Sequence, residues 1–290
     1  MLEEYFHYMK RSRYSQDTID TYRSILSNFV SWLTSRGKSL DNFSPNDVQE
    51  CMRTRYSARS SNTFLAAIKA YMRYRVGSLP LGDPRATIES QRESQIRLLR
   101  SSKTPTRVRK TALTVDELRD FMKRLGKDKN GGDMVKSGAV LTFYFGARPS
   151  ELALYLKRAK IDWKNHEMII ATAKRGGSER YLVWHDSIDP YLKMWFNNVN
   201  KIGYPREWLT KRMKRYSIGG LPVTSRVARK TFQTNMRNRG IDDFYIDHVL
   251  GHVSRSPIAD VYTDYSDPKF KEKIREIMCE KHYMITEGIV

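Results

Sequence analysis

The sequence predicts a mainly α-helical protein with a small antiparallel β-hairpin, divided into an all-helical first domain and a mixed α/β second domain. Three observations carry this expectation. Apolar residues recur at helical spacing along most of the chain, as in Ile19, Tyr22, Leu26, Phe29, Val30 and Leu33. The period switches to short β-prone runs at residues 167–172 and 180–183, separated by a segment holding Gly176-Gly177, a hairpin-turn pair. Finally, the chain has 290 residues, and single domains usually hold about 100–200.

Each element has a local reason. Ser15 stands where an N-cap belongs for the first apolar stripe. Ser44-Pro45-Asn46-Asp47 starts a second helix, with proline at its first position and an acid in its first turn. Phe64, Leu65, Ile68, Tyr71 and Met72 mark a third apolar face, and a shorter fourth helix is expected between residues 87 and 99. Residues 94–112 hold six Lys or Arg and no acid, and their centre lacks any helical period. The expected division is therefore a helical domain over 1–100, a basic linker over 101–112 and a second domain over 113–290. That domain opens on a capping box, Thr114 with Glu117, before Leu118, Phe121, Met122 and Leu125. A helix through Val140, Leu141 and Tyr144 runs to Gly146, and another starts near Pro149. After the hairpin, helical signals return from Ile188 onward. Thr224 or Ser225 can cap one helix and Gly240 can close it, while Ser256-Pro257 and Asp267-Pro268 start two more. The last, over 268–280, carries Phe270, Ile274, Ile277 and Met278 on one stripe; this face either packs in its own domain or docks on a neighbouring protomer.

Composition narrows the function classes. Apolar residues make up 40% and charged residues 29%, which fits a packed core rather than a disordered chain. No run approaches the roughly 18 apolar residues of a membrane span. The opening MLEEYFHYMK lacks a signal-peptide layout. Cys51 and Cys279 are the only cysteines, too few for a disulfide framework or a cysteine zinc site. An intracellular, cytoplasmic protein without membrane association is expected. Net charge is +20. Residues 1–103 carry 17 basic and 10 acidic side chains, the remainder 35 and 22, so both halves are basic. Such a surplus favours a polyanionic partner through counterion release. Charge alone leaves RNA binding, or plain solubility, open.

Three motifs carry chemistry. In Phe145-Gly146-Ala147-Arg148-Pro149-Ser150-Glu151-Leu152, Arg148 stands where one helix ends and the next begins, so its donors and the helix N-terminus can address one phosphate. Glu151 lies on the same side and can hold Arg148. In Ser225-Arg226-Val227-Ala228-Arg229-Lys230-Thr231-Phe232, Arg226 and Arg229 stand three apart on one helix face. In Leu250-Gly251-His252, Gly251 ends a helix and releases His252; Tyr262 follows. His248 and His252 have the i, i+4 spacing of a metal-binding helix, but no Glu follows His248 and Gly251 disfavours a continuous helix, so no metal is expected. Neither a Walker-type loop nor a carboxylate cluster suited to magnesium occurs.

Taken in order, these motifs resemble those of the tyrosine recombinases, or phage-type integrases, with an Xer-like two-domain layout. Phe145 to Leu152 is similar to the first arginine box, and Lys174 beside Gly176-Gly177 to the hairpin lysine. Arg229-Lys230-Thr231-Phe232 resembles the arginine half of the second box. Leu250-Gly251-His252 matches the third, and Tyr262 falls at family-like spacing. The stretch SQDTIDTYRSILSNFVSWL resembles the family's core-binding domain. The resemblance implies a metal- and ATP-independent DNA strand transferase without cofactor. Its site would hold Arg148, Lys174, Arg226, Arg229, His252 and Tyr262, with Glu151 in support. Arg175 is the rival of Lys174, and Tyr265 of Tyr262. It also implies duplex DNA as substrate, a tetrameric synapse, a nucleoid location and accessory DNA-bending proteins. One departure stands out: Arg226 occupies the usual histidine position of the second box, and arginine stays protonated, so it cannot act as a base. A catalytically degenerate DNA-binding protein and a type IB topoisomerase are the alternatives.

Overall fold

The computed structural model describes residues 2–101, 111–127, 132–171, 179–252 and 266–290. The hairpin turn with Lys174 and Arg175, most of the basic linker, the helix start at Ser256-Pro257, and both Tyr262 and Tyr265 lie outside the described residues. The chain divides into two compact units, Met1–Arg107 and Val108–Val290. The architecture is mainly helical with a small antiparallel sheet.

Among the described residues the first unit holds five helices: α1 (Leu2–Arg11), α2 (Gln16–Thr34), α3 (Pro45–Arg55), α4 (Ala58–Ser78) and α5 (Arg85–Leu98). The caps fall where the sequence puts them. Ser15 accepts from the Thr18 amide, and Ser44 and Asp47 close a full capping box. Sequence periodicity gave α1 no separate place, yet it buries Tyr5, Phe6 and Met9 in the core. Phe29 anchors that core with edge-on contacts to Phe43 and Phe64. A buried ion pair, Arg75 to Glu89 at 2.8 Å, ties α4 to α5.

The second unit is built around α7 (Gly132–Tyr144), which is buried on nearly every side. Before it, α6 (Val115–Leu125) starts at the Thr114–Glu117 capping box. A three-stranded antiparallel sheet follows in the order β1 (Lys160–Asp162), β2 (Glu167–Ala171), β3 (Glu179–Val183). Met168 and Ile170 face inward while Ile169 faces out, as a half-buried strand requires. The sequence indicated β2 and β3 but not β1, whose three residues are too few to show a period. Beyond the sheet come α8 (Asp189–Asn198), α9 (Pro205–Lys214), a two-residue ribbon of β4 (Ser217–Ile218) and β5 (Leu221–Pro222), α10 (Ser225–Asn238) and α11 (Asp243–Leu250). Then α12 (Pro268–Arg275) leads through a π-helical turn, Glu276–Glu280, to α13 (Tyr283–Thr286). Thr224, not Ser225, caps α10. Phe270, Ile274, Ile277 and Met278 are buried in this unit's own core. No helix is long and apolar enough to cross a membrane among the described residues.

Candidate active site

Arg148 lies in the turn that follows α7. Gly146 turns the chain at φ +55°, and Pro149 then opens a helical segment, its missing N–H costing nothing at that position. The Arg148 carbonyl accepts from the amides of Glu151 and Leu152 at 2.9 and 3.2 Å. Glu151 reaches back in turn. Its Oε2 accepts the Arg148 backbone N–H at 2.8 Å, and its Oε1 accepts from Arg148 Nη1 at 2.7 Å. The segment continues through a π-helical turn, Glu151–Tyr155, and a 3-10 turn, Leu156–Arg158, rather than a regular helix.

The Glu151 side chain is 0% exposed. It also accepts from Arg180 Nη2 at 2.9 Å, an arginine on β3 that is 3% exposed. Burial alone would push the Glu151 carboxyl up. The charges of Arg180 and Arg148, with the Arg148 hydrogen bonds, outweigh it and hold the carboxyl below its ordinary range.

Arg229, on α10, joins three separate stretches of chain. Its Nη1 donates to the Gly146 carbonyl, and its Nη2 donates to the Leu250 carbonyl at 3.0 Å and to His252 Nε2 at 2.8 Å. One guanidinium thus fastens the turn after α7 to the end of α11. Burial, with Arg148 nearby, pulls its pKa down to about 10, so it remains charged at neutral pH.

His252 leaves α11 past Gly251, which adopts the left-handed conformation at φ +60°. Its Nδ1 lies 3.0 Å from Asp247 Oδ1. Arginine can only donate, so Nε2 is the acceptor and the ring proton sits on Nδ1, directed at Asp247. Burial lowers the His252 pKa; Arg229 and Arg148 lower it further, and Asp247 opposes them. The ring is therefore neutral near pH 7.

Arg226 is exposed in the first turn of α10 and has no ion pair among the described residues. His248 is buried, with Nε2 donating to the Tyr181 carbonyl at 2.9 Å, which separates it from His252. No group of three or more His, Cys, Asp or Glu that could hold a metal occurs among the described residues.

The structure therefore gathers Arg148, Glu151, Arg229 and His252. Lys174, Arg175, Tyr262 and Tyr265 lie outside the described residues. Two members escaped the sequence reading. Arg180 is a charge at the head of the apolar run Tyr181-Leu182-Val183, and a charge in such a run is the available signal. Asp247 stands in the last turn before the Gly251 cap, which aims it at His252. Arg148, Arg180 and Arg229 bring three positive charges against the two carboxylates of Glu151 and Asp247, and that surplus suits a phosphate-like oxyanion.

Residues 2–77 match the family model for the phage integrase N-terminal SAM-like domain. Tyrosine recombinase XerA of Pyrococcus furiosus is 27% identical over 298 residues, covering 94% of this chain and 92% of that protein. Tyrosine recombinase XerD of Ralstonia nicotianae is 23% identical, with 92% and 89% covered. Among solved structures, a lambda integrase tetramer bound to a Holliday junction superposes with a TM-score of 0.62 at 15% identity, covering 92% of this chain and 77% of that one. XerH site-specific recombinase bound to difH superposes at 0.56 and 16% identity, with 89% and 79% covered. At these identities the solved structures bear on the fold.

Proposed function

We propose that the chain is a tyrosine recombinase that cuts and rejoins duplex DNA at a defined site through a 3′-phosphotyrosyl intermediate. The observation that carries this reading is the convergence of Arg148 and Arg229, each on its own carboxylate or imidazole partner, at one positively charged site. In this reaction the Tyr262 oxygen bonds to phosphorus while the bond to the 5′-oxygen breaks. The leaving oxygen keeps the electron pair and takes a proton from Lys174. Arg148 and Arg229 hold the non-bridging oxygens, where charge builds in the transition state. Arg226 adds a third cation at the rim. Arg226 cannot accept a proton. His252 is neutral, and its Nε2 takes the proton of the phenol once the Arg229 Nη2 contact that occupies it here opens. The phosphotyrosyl bond conserves the energy of the broken phosphodiester, so rejoining needs neither ATP nor a metal.

By analogy with the lambda integrase tetramer on a Holliday junction, the working form is a homotetramer on two duplexes. Integration, excision and dimer resolution all use this chemistry, with DNA-bending proteins as candidate helpers, in the nucleoid of a cytoplasm. A nicked suicide duplex tests the reading. Incubation with the protein should give a covalent protein–DNA adduct, and Tyr262→Phe should abolish it while Tyr265→Phe retains it. An adduct that survives Tyr262→Phe assigns the nucleophile elsewhere.

A further inference from the structure

We propose that Arg180 is a positioning residue for the phosphate clamp, holding the Glu151 carboxylate that in turn sets Arg148. The proposal rests on the reading of Arg148 as a phosphate ligand. Its grounds are geometric. Arg180 is 3% exposed, and its side-chain partner among the described residues is a carboxylate with no exposure at all. The same Glu151 oxygen, Oε2, takes both Arg180 Nη2 at 2.9 Å and the Arg148 amide at 2.8 Å, while Oε1 holds Arg148 Nη1. The three residues form one chain of contacts from strand β3 to the turn after α7.

The arrangement is costly for stability alone. Arg180 Nε and Nη1 are buried with no hydrogen-bond partner among the described residues, and each such donor forfeits its hydration. An apolar side chain of similar length would fill the space without that loss, since buried ion pairs are commonly replaceable by hydrophobic packing. What an apolar residue cannot do is keep a fully buried carboxylate charged. Arg148 cannot do this alone either: once its guanidinium meets a phosphate, its charge is shared with a second anion. Arg180 lies too deep to be drawn away in this manner, so Glu151 stays anionic and Arg148 keeps its orientation through the reaction. A clamp displaced by even 1 Å can cost on the order of 100-fold in rate.

The test uses the full chain and the nicked suicide duplex, with Arg180→Met, Arg180→Lys, Glu151→Gln and the double variant Arg180→Met/Glu151→Gln. Arg180→Met should slow single-turnover adduct formation roughly 10- to 100-fold, with duplex affinity changed by less than about threefold, because Arg148 keeps its charge but loses its setting. Arg180→Lys should recover most of the rate. In the Glu151→Gln background, Arg180→Met should add little, since both changes break the same linkage. Carboxyl NMR gives a readout independent of chemistry: the Glu151 titration should move to higher pH in Arg180→Met. If that variant does not fold, Arg180→Gln replaces it with the same expectations. A folded neutral variant with native rate and native Glu151 titration overturns the proposal, as do losses that simply multiply in the double variant. Should the native chain form no adduct at all, the functional reading fails instead, and the Glu151 titration still decides whether Arg180 governs this carboxylate.

Discussion

His252 shows how much of the site depends on single protons. Its Nδ1–H points at Asp247 and its Nε2 accepts from Arg229, so the neutral tautomer is fixed from both sides. If that neutral ring takes the proton of the phenol, cleavage should fall on the acid side as His252 protonates. Asp247 favours the imidazolium, whereas burial, Arg229 and Arg148 disfavour it. Removing the carboxylate in Asp247→Asn therefore makes protonation harder and should move the acid midpoint of the cleavage rate to lower pH. The maximal rate should drop by about 10-fold, because the ring loses part of its orientation. A rate–pH profile measures both; an upward shift of the midpoint would count against His252 as the acceptor. Arg148, Arg229 and His252 were legible because they sit in short motifs beside a Gly or Pro that fixes the local backbone. Asp247 and Arg180 were not, because their partners are far in sequence or across a cap.

At the level of elements, the turn after α7 is the part on which both arginines depend. Gly146 holds φ +55°, its carbonyl accepts from Arg229, and a Cβ there would collide with Leu250 Cδ2. Leu250 is buried, so it has little room to give. Gly146→Ala combines left-handed strain with overpacking and should destabilise the fold by about 2–4 kcal/mol. Gly240 makes the control: φ is +75° with nothing within 4 Å of its Cβ position, so Gly240→Ala should cost only about 1–2 kcal/mol. Urea unfolding of the two variants compares them directly, and equal losses would show that the Leu250 contact does not matter. The capped helices were legible, since Ser15, Ser44, Thr114 and Thr224 satisfy amides only a few residues away. The β4–β5 ribbon was not: two residues per strand give no period, and only Gly219-Gly220 hints at its turn. The π-helical course after Pro149 was also hidden, since residue types there suit an ordinary helix.

For the whole molecule, each unit carries its own core. In the second, the C-terminal segment completes the core around α7. His282 is fully buried, with Nε2 donating to the Tyr144 carbonyl at 3.0 Å and Nδ1 accepting the Met284 amide. Burial pushes its pKa from the ordinary 6.5 down to about 3. The unfolded chain then binds more protons than the folded one between those values, so this group's contribution to stability is complete above pH 6.5 and is lost as pH falls toward 3. His282→Phe keeps the ring but leaves two backbone groups unpartnered, and should be less stable at neutral pH by about 2–5 kcal/mol. Its deficit relative to the native chain should shrink as pH falls below 6.5. Urea midpoints of both proteins across that range supply the check, and a constant deficit would remove His282 from the acid response.

The sequence by itself determined the helical class, the caps, the hairpin strands β2 and β3, the basic character of both halves, and the motifs that carry Arg148, Glu151, Arg229 and His252. These are local matters: a cap, a turn or a 3.6-residue period is decided by residues a few positions apart. Only the tertiary structure decided that Arg180 pairs with Glu151, that Asp247 fixes the tautomer of His252, that Arg229 fastens Gly146 to Leu250, and that His248 faces Tyr181 rather than its neighbour in sequence. Those choices depend on which distant segments exclude water together. In that setting a charge must find its partner, and the partner is set by packing rather than by spacing along the chain.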